Sequence, residues 1–541
     1  MLFRSFDLSR RDNLAETLGI ARPADHSDAD LVEAAYRKWG VNCPPHLNGH
    51  FSFCIWDARE SRLFACRDHL GTIPLFYWNH GSQFFCTSHP RSILESLPFE
   101  RQLNHETLAA CLIVRGYHLR PGDTFHQNVF SLPPASFLIA NARGVSVSRY
   151  WRPEIRPEIV PMIDHEVFAK ARALVEASVA DRLASRTSVA IKLSGGLDSS
   201  AIAAVAANYL RKRNRSLLAI TAVNQDSEVS IADERDYVDQ LRIFPNIQFH
   251  RASANGKGPF DRIGDTHFFE PFFLVNPTQY LNEAMRGYCL GADGVLSGGF
   301  GEFCISGTSN PHVESLARFQ WNELASDVRQ SSQTRGVSGV RILAGSVRRH
   351  LFPQTPAAPS LYLSDGLLRQ HNPARYASSS LWPNGQRDHL RTIENYLDRD
   401  VLRSTFPAEV DPGPMVYPFL DKDLFEYCLA VPPRFKHRYS YGRYLLRKAF
   451  EDVLPPQITW RRGKTPYSPD YSVRYNAQIE VARDFVRGIP ASDPVRSIVD
   501  VNRLERAIVP VQRGVNEQPA WTAIPRSIYL IHFLRQFSGF R

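Results

Sequence analysis

Residues 188–210, SVAIKLSGGLDSSAIAAVAANYL, constrain this chain more than any other stretch. An apolar run passes directly into Ser194-Gly195-Gly196-Leu197-Asp198-Ser199-Ser200, and an alanine-rich helical stretch follows. A strand, a tight loop and a helix in immediate succession have few ways to fold. Two adjacent glycines let the backbone turn sharply and approach a ligand closely. The loop N–H groups and the helix N-terminus then form an anion cradle, extended by the hydroxyls of Ser194, Ser199 and Ser200. Asp198 within a phosphate cradle has an obvious use as a magnesium ligand. The loop is not a Walker A motif, because it lacks the G-x-x-x-x-G-K-[ST] spacing and its lysine.

The same strand-then-helix rhythm recurs nearby. SVAIKL, LLAITAV, IQFHRA and GVLSGG are short apolar runs separated by helical stretches, as in a parallel α/β sheet, and from about residue 310 most of the chain reads as helix. The first 150 residues differ. HFSFCIWD and RLFACRD alternate across a polar break, PLFYW and QFFCTS flank Asn79–Ser82, and SFLIA and VSVSRYW flank Asn141–Gly144, all hairpin signals. The stretch DADLVEAAYRKWG before them reads as a helix stopped at Gly40. Three prolines within 151–162 mark a linker. The chain therefore divides into 1–150, an α+β domain of antiparallel sheet; 151–162, a Pro-rich linker; and 163–541, an α/β domain with many helices, in keeping with 541 residues being too many for one ordinary core.

Composition narrows the class. No apolar run of about 18 residues exists, which excludes a transmembrane helix. The start, MLFRSFDLSRRDN, is interrupted at Arg4 and Asp7, which argues against a secretory signal. Eight cysteines without a C-x-x-C pair read as reduced thiols in a cytoplasmic protein. Cys43, His46 and His50 have no second ligand cluster to complete a zinc site. The net charge of +9 favours an anionic partner, while the basic runs Arg211–Arg215, Arg341–His350 and Lys436–Lys448 read as solvated helix faces.

The loop at 194–200 resembles the S-G-G-x-D-S pyrophosphate loop of ATP pyrophosphatases, which transfer AMP from ATP to an oxygen. Cys66–Tyr77, CRDHLGTIPLFY, is similar to the R-D-x-x-G-x-x-P-L-Y-Y segment of the amidotransferase domain of asparagine synthetases. SLPPASFLIAN…RYW (131–151) is similar to the exit of that domain, and YPFLDKDLFEY (417–427) to the family's V-P-F-L-D-K segment. With TWRRGKTPY (459–467), the resemblance to the asparagine synthetase superfamily runs from about residue 27 to 470. It implies a truncated glutamine-amidotransferase-like domain over 1–150 and an ATP-pyrophosphatase synthetase domain over 163–541. It further implies ATP on Ser194–Ser200 with Gly298 beside it, adenine against the strand Leu218–Val223, Mg2+ between Asp198 and Glu302, and phosphate contacts from Arg461 and Arg462. Lys464 falls at the family's late lysine, where a fixed ammonium stabilises the α-phosphate during adenylation and the oxyanion during amine attack.

Several positions depart from asparagine synthetase. That family's nucleophile is an N-terminal cysteine, whereas residue 2 is Leu2 and the first cysteine is Cys43. Some 25 residues precede the first family-like helix, too few for the strands expected there. Gly299 stands where the S-G-[DE]-G-x-D-E segment carries a carboxylate, Glu302 replaces its metal-binding aspartate, and Phe303 replaces its last acid. Gly413–Pro418, GPMVYP, has neither the Glu nor the Arg of G-x-E-x-R-x-P. The pattern looks most like the lasso peptide macrolactam synthetases. That implies a ribosomal precursor (core) peptide as substrate, with a leader peptidase and a leader-binding protein as associates and neither nucleic acid nor membrane as partner. The other readings are a β-lactam-type synthetase, an ammonia-dependent asparagine synthetase, a tRNA-modifying ATP pyrophosphatase and a scaffold without activity.

Overall fold

A computed structural model describes residues 3–537 apart from 23–24, 97–100, 115–119, 162, 225–232, 254–256, 262, 264–290, 307–310, 352–361, 371–384, 400–414, 464–469 and 513–522. The N-terminal region carries β1 (Phe3–Leu8), α1 (Arg11–Leu18), α2 (Asp28–Trp39), β2 (Gly49–Asp57), β3 (Arg62–Arg67), β4 (Phe76–His80) and β5 (Gln83–Thr87). Then come α3 (Pro90–Ser96), α4 (His105–Val114), β6 (Val129–Ser131), β7 (Ser136–Asn141) and β8 (Gly144–Arg149). Two antiparallel sheets result, β1-β2-β3-β7-β8 and β5-β4-β6. All three expected hairpins form, and α2 begins in a capping box between Ser27 and Asp30 and ends at Gly40.

One expectation fails at the start of the chain. The first residues do supply a strand, since β1 pairs antiparallel with β2 from Phe3↔Cys54 to Leu8↔Gly49. Six residues suffice for an edge strand, because a strand gains about 3.3 Å per residue and needs only one paired side. The Cys43, His46 and His50 trio also stays apart. Cys43 is core, His46 stacks on Trp39, and the His50 Nε2 lies 2.9 Å from both the Leu420 carbonyl and an Arg182 nitrogen.

The second region opens with α5 (Asp164–Ala184) and builds the parallel sheet from β9 (Val189–Lys192), β10 (Leu217–Ala222), β11 (Ile247–Ala252), β12 (Gly294–Ser297) and β13 (Met415–Val416). Its order is β11-β10-β9-β12-β13, with every pairing parallel. Between β9 and β10 lies α6 (Leu197–Arg211), buried along most of its length, whose alanines 201, 203, 204, 206 and 207 are at 0% exposure. Small side chains let this helix lie against the sheet on one side and its helical neighbours on the other. The chain leaves β9 toward β10 on one side, while β12 flanks β9 on the other. The carboxyl ends of β9 and β12 thus form a topological switch point, where a crevice opens.

The linker packs rather than dangling. Trp151, Ile155, Ile159 and Val160 sit against the core of the second region, and the Trp151 indole donates to Glu426 Oε1 at 3.0 Å. Arg156 and Lys422 also pair with Glu426. Further ion pairs join Arg186 to Asp7 (2.9 Å), Arg149 to Asp398 (2.8 Å) and Arg10 to Asp423.

Candidate active site

A cavity of about 480 Å³ opens at the switch point. Its floor is the loop after β9. Gly195 adopts φ +64°, which a Cβ would strain, and a Cβ there would also stand 2.9 Å from Tyr237 Cβ. The loop fixes itself through its serines. Ser194 N–H donates to Ser199 Oγ at 3.2 Å, the two hydroxyls lie 3.1 Å apart, and Ser199 Oγ–H donates to the Gly196 carbonyl. Gly196 is the N-cap of α6, so the cavity faces the positive end of a 15-residue helix. The loop after β12 closes the other side. A Cβ on Gly298 would lie 2.5 Å from Ser199 N, so only glycine allows the two loops to meet.

Among the described residues, five cationic side chains line the cavity: Lys192, Arg443, Arg447, Arg461 and Arg462. Asp198 is the one acid among its described lining residues. Arg443 reaches Asp198 Oδ2 at 3.4 Å and Glu302 Oε2 at 3.7 Å. Arg461 forms a two-point ion pair with the buried Glu234 and lies over the Tyr237 ring, 3.5 Å from its centroid. Those contacts hold the guanidinium in one place, as a buried ion pair requires. Arg462 donates to Tyr441 Oη at 3.3 Å. Burial, and then the neighbouring Arg443, push Arg447 below the usual arginine range. Concentrated positive charge at a helix N-terminus suits a polyphosphate.

The sequence expectations fare unevenly here. Ser194, Gly196, Asp198, Ser199, Gly298, Arg461 and Arg462 all line the cavity, and Gly195 shapes the turn beneath it. Ser200 does not. One residue further into α6, it is fully buried, and its N–H closes a helical bond to the Gly196 carbonyl. Leu218 and Val223 are not lining residues either. Leu218 packs toward Ala190, Ile220, Ala252 and Val295, and Val223 N–H donates to the Ala252 carbonyl. The strand reaches the cavity through Ala222, its last residue. Leu218 lies four positions upstream, about 13 Å at strand rise. Glu302 stands outside the cavity wall with its side chain 79% exposed, and meets the site through Arg443. Lys464 lies outside the described residues.

Sequence reasoning missed Lys192, Arg443 and Arg447. The run Lys436–Lys448 was expected on a solvated helix face, yet Lys436 is buried and Arg443 and Arg447 enter the cavity. Their four-residue spacing at the start of helix Tyr444–Ala449 was the available signal.

Tyr417 brings one aromatic ring to the described lining, backed by Phe300. Gly299 and Tyr417 line the cavity, and Phe300 packs edge-on against Tyr417 (centroids 5.0 Å) and Tyr396 (5.6 Å). Phe300 holds a left-handed φ of 68°, a strained conformation of the kind that gathers at functional sites. The described cysteines of the N-terminal region are packed thiols. Burial raises Cys43 to about 12 and holds Cys66 well above the thiol range, and at Cys54 the contact with Cys86 is the larger cause.

A glycine-rich loop at a helix N-terminus, at the switch point of a parallel sheet and lined by guanidinium groups, is a cavity suited to a nucleotide's phosphates. The asparagine synthase family pattern matches residues 170–244 and 291–531, and that of a glutamine amidotransferase domain matches 11–151. The chain belongs to the asparagine synthase family, whose members are ATP-dependent carbon–nitrogen ligases. Its relatives include asparagine synthetase [glutamine-hydrolyzing] 3 of Bacillus subtilis, 26% identical over 477 residues, covering 83% of this chain and 72% of that protein. A putative asparagine synthetase [glutamine-hydrolyzing] of Mycobacterium bovis is 28% identical over 501 residues, covering 84% and 72%. Amidase chry2 of Gibberella zeae is 23% identical over 499 residues, covering 80% and 71%.

Proposed function

We propose that this ligase forms a macrolactam in a ribosomal precursor peptide. A side-chain carboxylate of the core peptide attacks the α-phosphate of ATP, giving an acyl-AMP and pyrophosphate. The peptide's N-terminal amine then attacks the acyl carbon, AMP leaves, and one proton is released from the amine. In this reading Ser194, Gly196 and Ser199 hold the triphosphate, with Arg443, Arg447, Arg461 and Arg462 around it. Lys464 stabilises the charge on the reacting oxygens. The folded core peptide brings amine and acyl group together, replacing an encounter in solution.

Asp198 and Glu302 are the residues that would hold Mg2+. Both already converge on one positive group, Arg443, and two carboxylates plus phosphate oxygens are a donor set magnesium accepts. The ion would neutralise charge on departing pyrophosphate.

The observation that carries the peptide reading is the scarcity of acid in the described lining of the cavity. A free amino acid brings an α-ammonium group that needs a counter-charge, yet Asp198 is the one acid among the described lining residues and Arg443 already engages it. A side-chain carboxylate within a peptide carries no α-ammonium on the same residue, and the attacking amine arrives separately, from the peptide's N-terminus. The second reading, asparagine formation, is favoured by the names of the relatives. Pyrophosphate exchange into ATP separates the two, with a leaderless core peptide offered against aspartate. Exchange that requires the peptide, with a product lighter by one water, supports the macrolactam reading. Exchange with aspartate alone overturns it.

A further inference from the structure

Behind the cavity wall lies a buried lysine that the proposed chemistry does not use. Lys436, 1% exposed, is the last residue of the short helix Pro433–Lys436. Its Nζ lies 2.9 Å from Nδ1 of His389, itself at 0% exposure. The other ring nitrogen of His389, Nε2, lies 2.6 Å from the carbonyl oxygen of Phe303. These contacts fix the tautomer: an ammonium donates to Nδ1, so the ring proton sits on Nε2 and points at Phe303. Burial lowers the His389 pKa to about 3, consistent with a neutral ring. The carbonyl it engages belongs to the turn Glu302–Ser306, a single π-helical turn, a form that recurs at functional sites.

The chain leaving Lys436 leads to the same place from the other side. Residues His437–Arg438 pair with Tyr441–Gly442, and the tip of this hairpin holds Tyr439 (φ 53°) and Ser440 (φ 67°) in left-handed conformations. Arg443 follows at φ 55° and extends to both Asp198 and Glu302. Lys436 therefore stands between two segments: the hairpin with a left-handed tip, which leads to Arg443, and, reached through His389, the turn that bears Glu302. A buried ammonium is costly to desolvate, and an apolar side chain would fill the volume without that cost. Its physical return is direction.

We infer that Lys436 and His389 form a positioning pair that fixes the Glu302 turn against Arg443, and so sets the affinity of the site for a divalent cation bound with nucleotide. This rests on the reading of Glu302 as a metal ligand. A positioning residue of this kind changes metal affinity by about 10- to 100-fold.

The test is Mn2+ binding to the full chain with α,β-methylene ATP, followed by the EPR signal of free Mn2+, beside binding of the same nucleotide in EDTA. Lys436→Met and His389→Phe are each expected to weaken Mn2+ binding by about tenfold or more, with nucleotide affinity in EDTA unchanged. Lys436→Arg, which keeps a donor to Nδ1, is expected to retain most of the wild-type affinity. The double variant should lose no more than either single one, because both break one chain of contacts. Glu302→Gln is the control. Weakened binding in Glu302→Gln with wild-type binding in Lys436→Met overturns the inference and leaves the metal reading standing. Unchanged binding in Glu302→Gln overturns the metal reading and the inference with it. Equal losses with and without metal in Lys436→Met, Lys436→Arg and His389→Phe reveal a general packing role and overturn the inference alone.

Discussion

The loops leaving β9 and β12 stand side by side and have diverged in chemistry. The first, Ser194–Ser199, has what a phosphate cradle asks for: a left-handed glycine, hydroxyls held in place by one another, and a helix N-terminus. The second, Ser297–Glu302, keeps the glycine that lets it dock on the first, then presents Gly299 and the strained Phe300. In the proposed reaction the first loop would hold the nucleotide, and Gly299 and Tyr417 beside the second would face the peptide. The difference suggests that the ends of the second loop, Gly298 and Glu302, belong with the first loop in activation, while its middle and Tyr417 belong with acceptor choice, and mutations should separate the two.

The largest effect is expected at Arg443. Arg443→Ala removes the cation shared by Asp198 and Glu302, and kcat/KM for ATP in pyrophosphate exchange should fall by about 100- to 1000-fold. A loss under about tenfold would take Arg443 out of the phosphate site. Glu234→Ala strands the buried Arg461 and should destabilise the protein by about 3 kcal/mol in urea unfolding. Unfolding at the wild-type midpoint would contradict that. Gly298→Ala forces the two loops apart and should slow exchange by about 100-fold at near-native stability, as judged by circular dichroism and exchange together. The smallest effect sharpens the comparison most. Tyr417→Ala should leave exchange within about twofold while slowing amide formation by about tenfold, a pocket-contact effect. Equal loss in both steps would mean that the two walls act as one.

Much of the fold was legible because its signals are local. Asn79–Ser82 between alternating runs specifies a hairpin, and the strand before Ser194 specifies the cradle that follows it. Arg443 and Arg447 were not legible in the same way. A basic run at helical spacing reads alike whether it faces water or a triphosphate, and only the packing of Tyr444–Ala449 beside α6 decides. Leu218 lies away from the cavity for a related reason: the strand forms where expected, but only its carboxyl end, Ala222, reaches the lining. Ser200 failed because one step along a helix turns a side chain by about 100°.

The linker's attachment to Glu426 has a mechanical consequence. Indole, guanidinium and ammonium groups from Trp151, Arg156 and Lys422 meet on one carboxylate, and Arg186 clasps Asp7 of the outermost strand. Such a seam ties the described linker residues to the second region at several points. The N-terminal region thus braces the segment from Leu420 through Glu426, and expressing the second region without it would strip those contacts from a segment that begins beside the cavity at Tyr417.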